Sequence, residues 1–156
     1  MRVKHLSWVA LLSVVPMASF WAASRQSTTP ALVIPSDGRP ANLEPVAGTT
    51  LNRVVLSARA AERLGIETVP VGHTKARPVI PYSAVLYDAR GETWVYTNPQ
   101  PLVFVRNRVG IDYIDGDRAV LVDGPPAGTA VVAVGGAELL GTEFEFGHRL
   151  HTEVQP

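Results

Sequence analysis

Apolar and polar residues alternate in short runs from residue 51 onward, and most runs end at a cluster of Gly, Pro, Asp or Asn. Alternation with a period of two is the pattern of a half-buried strand. Turn signals return roughly every 8–12 residues, a spacing typical of small all-β proteins. The pattern predicts a mainly β fold, as a small β-barrel or a β-sandwich.

Only one short helix is predicted, over residues 58–64, where alanine predominates. Ser57 can cap its first turn, and Gly65 can end it. Near the end of the chain, residues 143–146 (EFEF) alternate strictly and predict a last strand. A flexible tail is expected over residues 147–156, because chain termini are commonly mobile.

Two tight reversals are predicted from turn chemistry. Residues 88–91 (DARG) place Asp first and Gly fourth, which favours a type I turn followed by a left-handed glycine. Residues 115–116 (DG) are a strong signal for a two-residue hairpin. Alternation along the strand before this hairpin predicts that Val109, Ile111 and Tyr113 share one face.

The first residues have the pattern of a targeting or anchoring segment. Arg2 and Lys4 precede an uncharged, largely apolar stretch over residues 6–23. One interpretation of residues 1–24 is a cleaved signal peptide, with small side chains preceding Arg25. The other is an uncleaved membrane anchor with its N-terminus inside. Either interpretation sends the rest of the chain out of the cytoplasm.

Residues 25–50 are predicted to form a tether. Proline fixes φ and lacks the backbone N–H, so a proline-rich stretch favours extended chain over packed structure. Here the prolines recur every five residues, as Pro30, Pro35, Pro40 and Pro45.

Composition excludes several classes of protein. Fourteen basic and fourteen acidic residues give a formal net charge of zero, so no basic excess favours nucleic acid as a partner. Without cysteine, disulfides, thiolate metal sites and a cysteine nucleophile are all excluded. No motif for a nucleophile, a phosphate-binding loop or a dinucleotide is present. We therefore expect a protein without catalytic residues or a cofactor.

One cluster near the C-terminus offers metal ligands. On a strand, Glu143 and Glu145 would lie on one face, and His148 and His151 follow closely. Two carboxylates and two imidazoles could hold zinc or copper. The alternative, which the sequence favours, is a polar strand face followed by an exposed tail.

An aromatic set offers a second candidate site. Trp94, Tyr96 and Phe104 could form an exposed platform for a partner, with Arg106 beside it. Alternating aromatic residues on strands belong more often to the core, so both interpretations remain open.

Five segments together resemble the periplasmic adaptor subunits, or membrane fusion proteins, of tripartite efflux systems. Residues 79–88 (VIPYSAVLYD) and 91–96 (GETWVY) resemble the strands that close the adaptor β-barrel domain. Residues 104–109 (FVRNRV) are similar to the segment that opens the membrane-proximal domain. A turn and strand at 123–132 and a short helix and strand at 56–66 complete the resemblance.

The resemblance implies a β-barrel-like domain over residues 51–100 and a membrane-proximal-like β domain over residues 101–146. Adaptors usually insert a lipoyl-like domain and a long helical hairpin before the strand that residues 79–88 resemble. Here seven residues separate Val71 from Val79, too few for either insertion. The resemblance therefore implies contact with an inner-membrane pump, without the reach to an outer-membrane channel.

Two functions follow as expectations. The first is a non-enzymatic, extracytoplasmic accessory protein of an efflux transporter, which meets an inner-membrane transporter subunit through strand edges or hairpin tips. The membrane itself is a second partner if the N-terminal segment is not cleaved. The alternative is a free-standing extracytoplasmic β module that binds a small ligand or a metal.

Overall fold

Short strands make up about half of the described chain and helices much less, which confirms the mainly β prediction. The structure is a computed structural model that describes residues 38–74 and 77–152, with the backbone alone for residues 148–152. The elements are β1 (Ala41–Pro45), β2 (Asn52–Leu56), α1 (Ala58–Arg63), β3 (Glu67–Pro70), β4 (Gly72–Thr74), β5 (Arg77–Pro81), a 3₁₀ turn (Tyr82–Ala84), β6 (Leu86–Tyr87), β7 (Thr93–Gln100), β8 (Val103–Arg108), β9 (Gly110–Asp115), β10 (Arg118–Asp123), β11 (Ala130–Val134) and α2 (Gly136–Thr152).

The strands form two open antiparallel sheets. The seven-stranded sheet has the order β1-β2-β8-β7-β11-β3, with β6 also beside β7, and the four-stranded sheet has the order β4-β5-β10-β9. The predicted β-barrel is wrong for this part of the chain, because each sheet ends in two edge strands instead of closing. The alternative of packed sheets is the one that the described residues adopt.

The predicted boundary between residues 100 and 101 does not separate two bodies. It falls in the connection between β7 and β8, which are hydrogen-bonded neighbours. Both sheets also combine strands from before and after this point. Neither the part before residue 101 nor the part after residue 100 contains all the strands of a sheet. Each part therefore needs the other to bury its apolar residues.

Two apolar cores hold three layers together. Between the sheets lies a core that includes Ile80, Val95 and Leu121. On the other face of the seven-stranded sheet, a second core joins Tyr96 and Phe104 to Leu139 of α2. Successive residues of β7 therefore serve opposite cores, as the alternation of a strand requires. The seven-stranded sheet is the middle layer, and α1 and α2 cover its outer side.

The local turn and cap predictions are confirmed. The Ser57 hydroxyl accepts a hydrogen bond from the Ala60 N–H at 3.2 Å, and Gly65 has φ +61°. The Asp88 carbonyl accepts from the Gly91 N–H at 3.0 Å. Gly116 has φ +60° between β9 and β10. Each of these signals acts over no more than four residues, and at these positions the tertiary contacts of the fold are compatible with it.

Part of the predicted tether is packed. Residues 41–45 form β1, which pairs with β2, and Ala41 and Leu43 are buried in the second core. Pro40 precedes this edge strand and Pro45 is its last residue, positions where a missing N–H costs little. The leader and the remainder of the tether, up to residue 37, lie outside the described residues. Within the described ranges, no helix is long and apolar enough to cross a membrane.

The end of the chain is helical where a strand is predicted. Residues 143–146 belong to α2, so both the predicted strand and the prediction of a single helix are wrong. This helix continues through residue 152. Its first turn starts at Gly135, whose carbonyl accepts from the Leu139 N–H at 3.0 Å. The strict EFEF alternation covers only four residues. The residues of α2 that face the sheet recur at helical spacing over a longer stretch, and this longer pattern determines the structure.

Replacing Gly135 with alanine should destabilise the fold by about 1–3 kcal/mol. Gly135 has φ +84°, and an added Cβ would lie 2.5 Å from the Ile66 Cδ1 atom and 3.0 Å from the Leu64 carbonyl oxygen. Gly141→Ala is the matched control, because this α2 position has open space around it and should gain about 0.5–1 kcal/mol. Urea unfolding midpoints measure both changes. Equal effects of the two substitutions would contradict this account of the α2 start.

Candidate functional site

The sheet-facing side of α2 carries a carboxylate at its centre. Gly136 lies over Leu86, Leu139 is fully buried, and Gly147 lies over Leu43 at the far edge of the sheet. Between them Glu143 is only 4% exposed. A buried carboxylate is costly unless it is paired and hydrogen-bonded. The helix can cover the sheet here only if the sheet supplies those partners.

Neighbouring strands supply both partners. Tyr96 on β7 and Arg106 on β8 lie directly opposite each other in the antiparallel register. The Tyr96 hydroxyl donates to Glu143 Oε2 at 2.5 Å, and Arg106 Nη2 donates to Oε1 at 3.0 Å. Arg106 Nε also lies 2.9 Å from Oε2, although its N–H is not aimed for a hydrogen bond. We call these three residues the clamp.

Two aromatic rings hold the Arg106 side chain in place. Its guanidinium carbon lies 5.3 Å from the centre of the Trp94 ring and 5.7 Å from that of Phe144. Both distances fall within the range of cation–π attraction. The ring of Phe144 comes from α2 and that of Trp94 from β7, so this stack also joins the helix to the sheet.

The clamp changes the acidity of its tyrosine. Burial away from water raises the pKa of Tyr96 far above its ordinary value of 10.0, and the hydrogen bond to the Glu143 carboxylate raises it further. An ionised tyrosine beside the carboxylate would place two negative charges together in the core. The hydroxyl therefore stays protonated and acts as a hydrogen-bond donor.

The predicted aromatic platform is part of this clamp and its surroundings. Tyr96 is fully buried and Phe104 is 3% exposed, so neither can form an exposed contact surface in this fold. Trp94 and Arg106 are partly buried around Glu143. The structure brings all four predicted residues together on one sheet face, where they support α2.

The four predicted metal ligands do not share a strand face. Glu143 and Glu145 lie on a helix, where residues two apart are separated by about 200°. Glu143 faces the clamp, whereas Glu145 is exposed. The side chains of His148 and His151 lie outside the described residues. Among the side chains that are described, no group of three or more His, Asp or Glu could hold a metal.

A β-bulge in β9 overturns the predicted shared face of Ile111 and Tyr113. Tyr113 pairs with Val120 and Ile111 with Leu121, so Asp112 is an extra residue in the ladder. Ile111 packs against the core between the sheets, whereas Tyr113 is 54% exposed on the outer side. An inserted residue reverses the alternation, and nothing in the local sequence signals it.

Three exposed apolar side chains near the β9–β10 turn are not predicted by any pattern in the sequence. The Tyr82 N–H donates to the Asp117 carbonyl in that turn at 2.7 Å. The Tyr82 and Tyr87 hydroxyls lie 3.3 Å apart. On the hairpin itself, Ile114 of β9 lies opposite Ala119, just before the turn. These three side chains, which we call the turn patch, are 39%, 52% and 47% exposed. Only the pairing of distant strands brings them to one turn.

Comparison with protein-family models, curated proteins and solved structures finds no significant match to this chain.

Removing the carboxylate of the clamp should destabilise the protein by about 3–5 kcal/mol, because Glu143→Ala leaves the Arg106 charge without a partner in a largely buried site. The double variant Glu143→Leu, Arg106→Met should recover most of this loss, since it leaves no uncompensated charge. Glu92→Ala is the control, because its partner Arg108 is exposed, and it should cost less than about 1 kcal/mol. Denaturant unfolding measures all three. A double variant no more stable than Glu143→Ala would contradict the clamp.

The clamp also predicts a loss of stability in alkali. Above pH 10.0 the unfolded chain releases the Tyr96 proton while the folded chain retains it. The raised pKa of Tyr96 therefore makes its full contribution to the free energy of unfolding below pH 10. Above pH 10 that contribution falls by up to about 1.4 kcal/mol per pH unit. Tyr96→Phe should remove this part of the slope in urea unfolding measured from about pH 8 to about pH 11. Parallel slopes for the variant and the parent would contradict the raised pKa.

Proposed function

We propose that this protein is a non-enzymatic accessory subunit of a membrane efflux transporter, similar to an adaptor, and that it acts by protein–protein contact. The turn patch is the observation that carries the proposal. Tyrosine supplies a large apolar surface with a polar end, and it is enriched at protein interfaces. Tyr82 and Tyr87, whose hydroxyls adjoin, and Ile114 on the nearby hairpin are exposed side chains of that composition.

The resemblance to the adaptors supports the same region. Tyr82 and Tyr87 both lie within residues 79–88, the segment that resembles the adaptor strand. This segment forms β5, the 3₁₀ turn and β6, and it therefore connects the two sheets. A contact made here would be held by both sheets at once.

The position of the missing insertion also fits a short-range contact. Where adaptors carry the lipoyl-like domain and helical hairpin, this chain has the β4–β5 pair, with Gly72 opposite Val79. The proposed role is therefore limited to the pump side of such a system. The proposal places the protein outside the cytoplasm, with residues 1–24 as signal peptide or anchor.

The test is co-purification of the full-length protein from solubilised membranes of its own host, with mass-spectrometric identification of retained proteins. We expect a transporter subunit to be retained. The variant Ile114→Asp, Tyr87→Ser should lower its retention about tenfold or more, because it places a charge and a polar side chain in the contact.

Val122→Asp is the matched control, since Val122 is 61% exposed on the same hairpin but lies at the opposite end of β10 from the turn. It should retain the subunit as the parent does. Retention of no transporter subunit, or equal retention by the turn-patch variant and the parent, would refute the proposed function.

A further inference from the structure

The outer side of the four-stranded sheet has a cavity that the contact proposed above does not use. Its volume is about 540 Å³, and it opens on the side away from the seven-stranded sheet. Alternate residues of β5, β10 and β9 line it, so a rigid sheet forms its floor. The geometry points to a binding site for a neutral saccharide in this cavity, which we call the outer cavity.

The floor of the outer cavity is apolar. Val79 on β5 and Val120 on β10 are direct neighbours in the register and line it. Tyr113 on β9 is the next residue across, opposite Val120, and its side chain is about half exposed. A sugar ring has one face of C–H groups, which packs on apolar side chains and on the flat face of an aromatic ring. The floor and Tyr113 provide both surfaces.

The walls of the outer cavity are two ion pairs. Arg77 reaches across β10 to Asp112, the residue that the bulge inserts, and Nη1 donates to the carboxylate. Arg118 lies opposite Asp115, with Nη2 3.6 Å from the carboxylate oxygen. All four side chains remain at least one-third exposed. The cavity therefore presents both donors and acceptors at its rim.

The charge balance selects the class of ligand. Two arginines and two aspartates give the lining a net charge of zero, so neither an anion nor a cation gains from the site as a whole. Sugar hydroxyls both donate and accept hydrogen bonds. Guanidinium groups can donate to them, and carboxylate groups can accept from them. A volume of about 540 Å³ lies within the usual range for small-molecule sites. A neutral oligosaccharide fits each of these properties.

The inference does not depend on the proposed function. Tyr113 and Ile114 are successive residues of β9 and point to opposite sides of the sheet. The outer cavity thus involves one side of the hairpin and the turn patch involves the other. Substitutions can change one surface and leave the other intact.

The test is binding of three neutral trisaccharides, namely maltotriose, cellotriose and N,N′,N″-triacetylchitotriose, to the full-length protein. Each sugar is titrated up to about 10 mM, a concentration that saturates a site of millimolar affinity, and binding is followed by the NMR shifts of the backbone amides. At least one should bind saturably, with shifts concentrated in residues 77–81 and 110–123. Tyr113→Ala should weaken that binding about tenfold or more, because it removes the aromatic surface.

Tyr87→Ala is the matched control, because Tyr87 is exposed to a similar degree, 52% against 54%, but does not line the cavity. It should bind the saccharide as the parent does. Because Tyr113 is half exposed, its replacement should leave the unfolding midpoint unchanged, and this is measured alongside. Failure of all three sugars to bind, equal binding by Tyr113→Ala and the parent, or shifts centred elsewhere would overturn the inference. Loss of transporter retention by the turn-patch variant would not affect it.

Discussion

The position of α2 depends on the burial of one negative charge. Glu143 lies in the middle of a face that is otherwise apolar or glycine, and its carboxylate reaches Arg106 and Tyr96. A shift of the helix by one turn would place Leu139 or Gly147 over Arg106 and leave two buried charges apart. Because an unpaired buried charge costs several kcal/mol, the clamp excludes such shifted arrangements. Apolar packing alone would hold the helix on the sheet without fixing where it lies.

The bulge at Asp112 has a comparable effect on the other side of the molecule. Without the inserted residue, Tyr113 would follow Ile111 into the core between the sheets. With it, Tyr113 turns outward, and the Asp112 carboxylate comes within reach of Arg77. One extra residue therefore supplies both the exposed ring and one wall of the outer cavity. The same change directs Ile114 to the side that carries the turn patch.

The sequence predicts local structure well here and long-range structure poorly. The cap at Ser57 and the turns at Asp88 and Gly116 were predictable because each depends on a few adjacent residues. The helix α2 was not predictable in this way. Its sheet-facing side contains Glu143, and a glutamate does not read as a buried position unless its partner Arg106 on a distant strand is known. The four residues of the predicted aromatic platform do gather in space, but they serve stability. The turn patch depends on the pairing of distant strands and on a bulge, and neither can be predicted from the local sequence.

The layer order limits which surfaces of the sheets are exposed. The seven-stranded sheet is covered on one side by helices and on the other by the four-stranded sheet, so neither face is available. Three of the four outermost strands within the described residues also carry features that hinder pairing with a further strand. Proline lies at the ends of the edge strands β1 and β3, and the edge strand β9 is bulged. Both features obstruct the addition of a strand. Around the β9–β10 hairpin, by contrast, Ile114 and Tyr113 are both about half exposed and face opposite sides of the four-stranded sheet, which holds each in a fixed orientation.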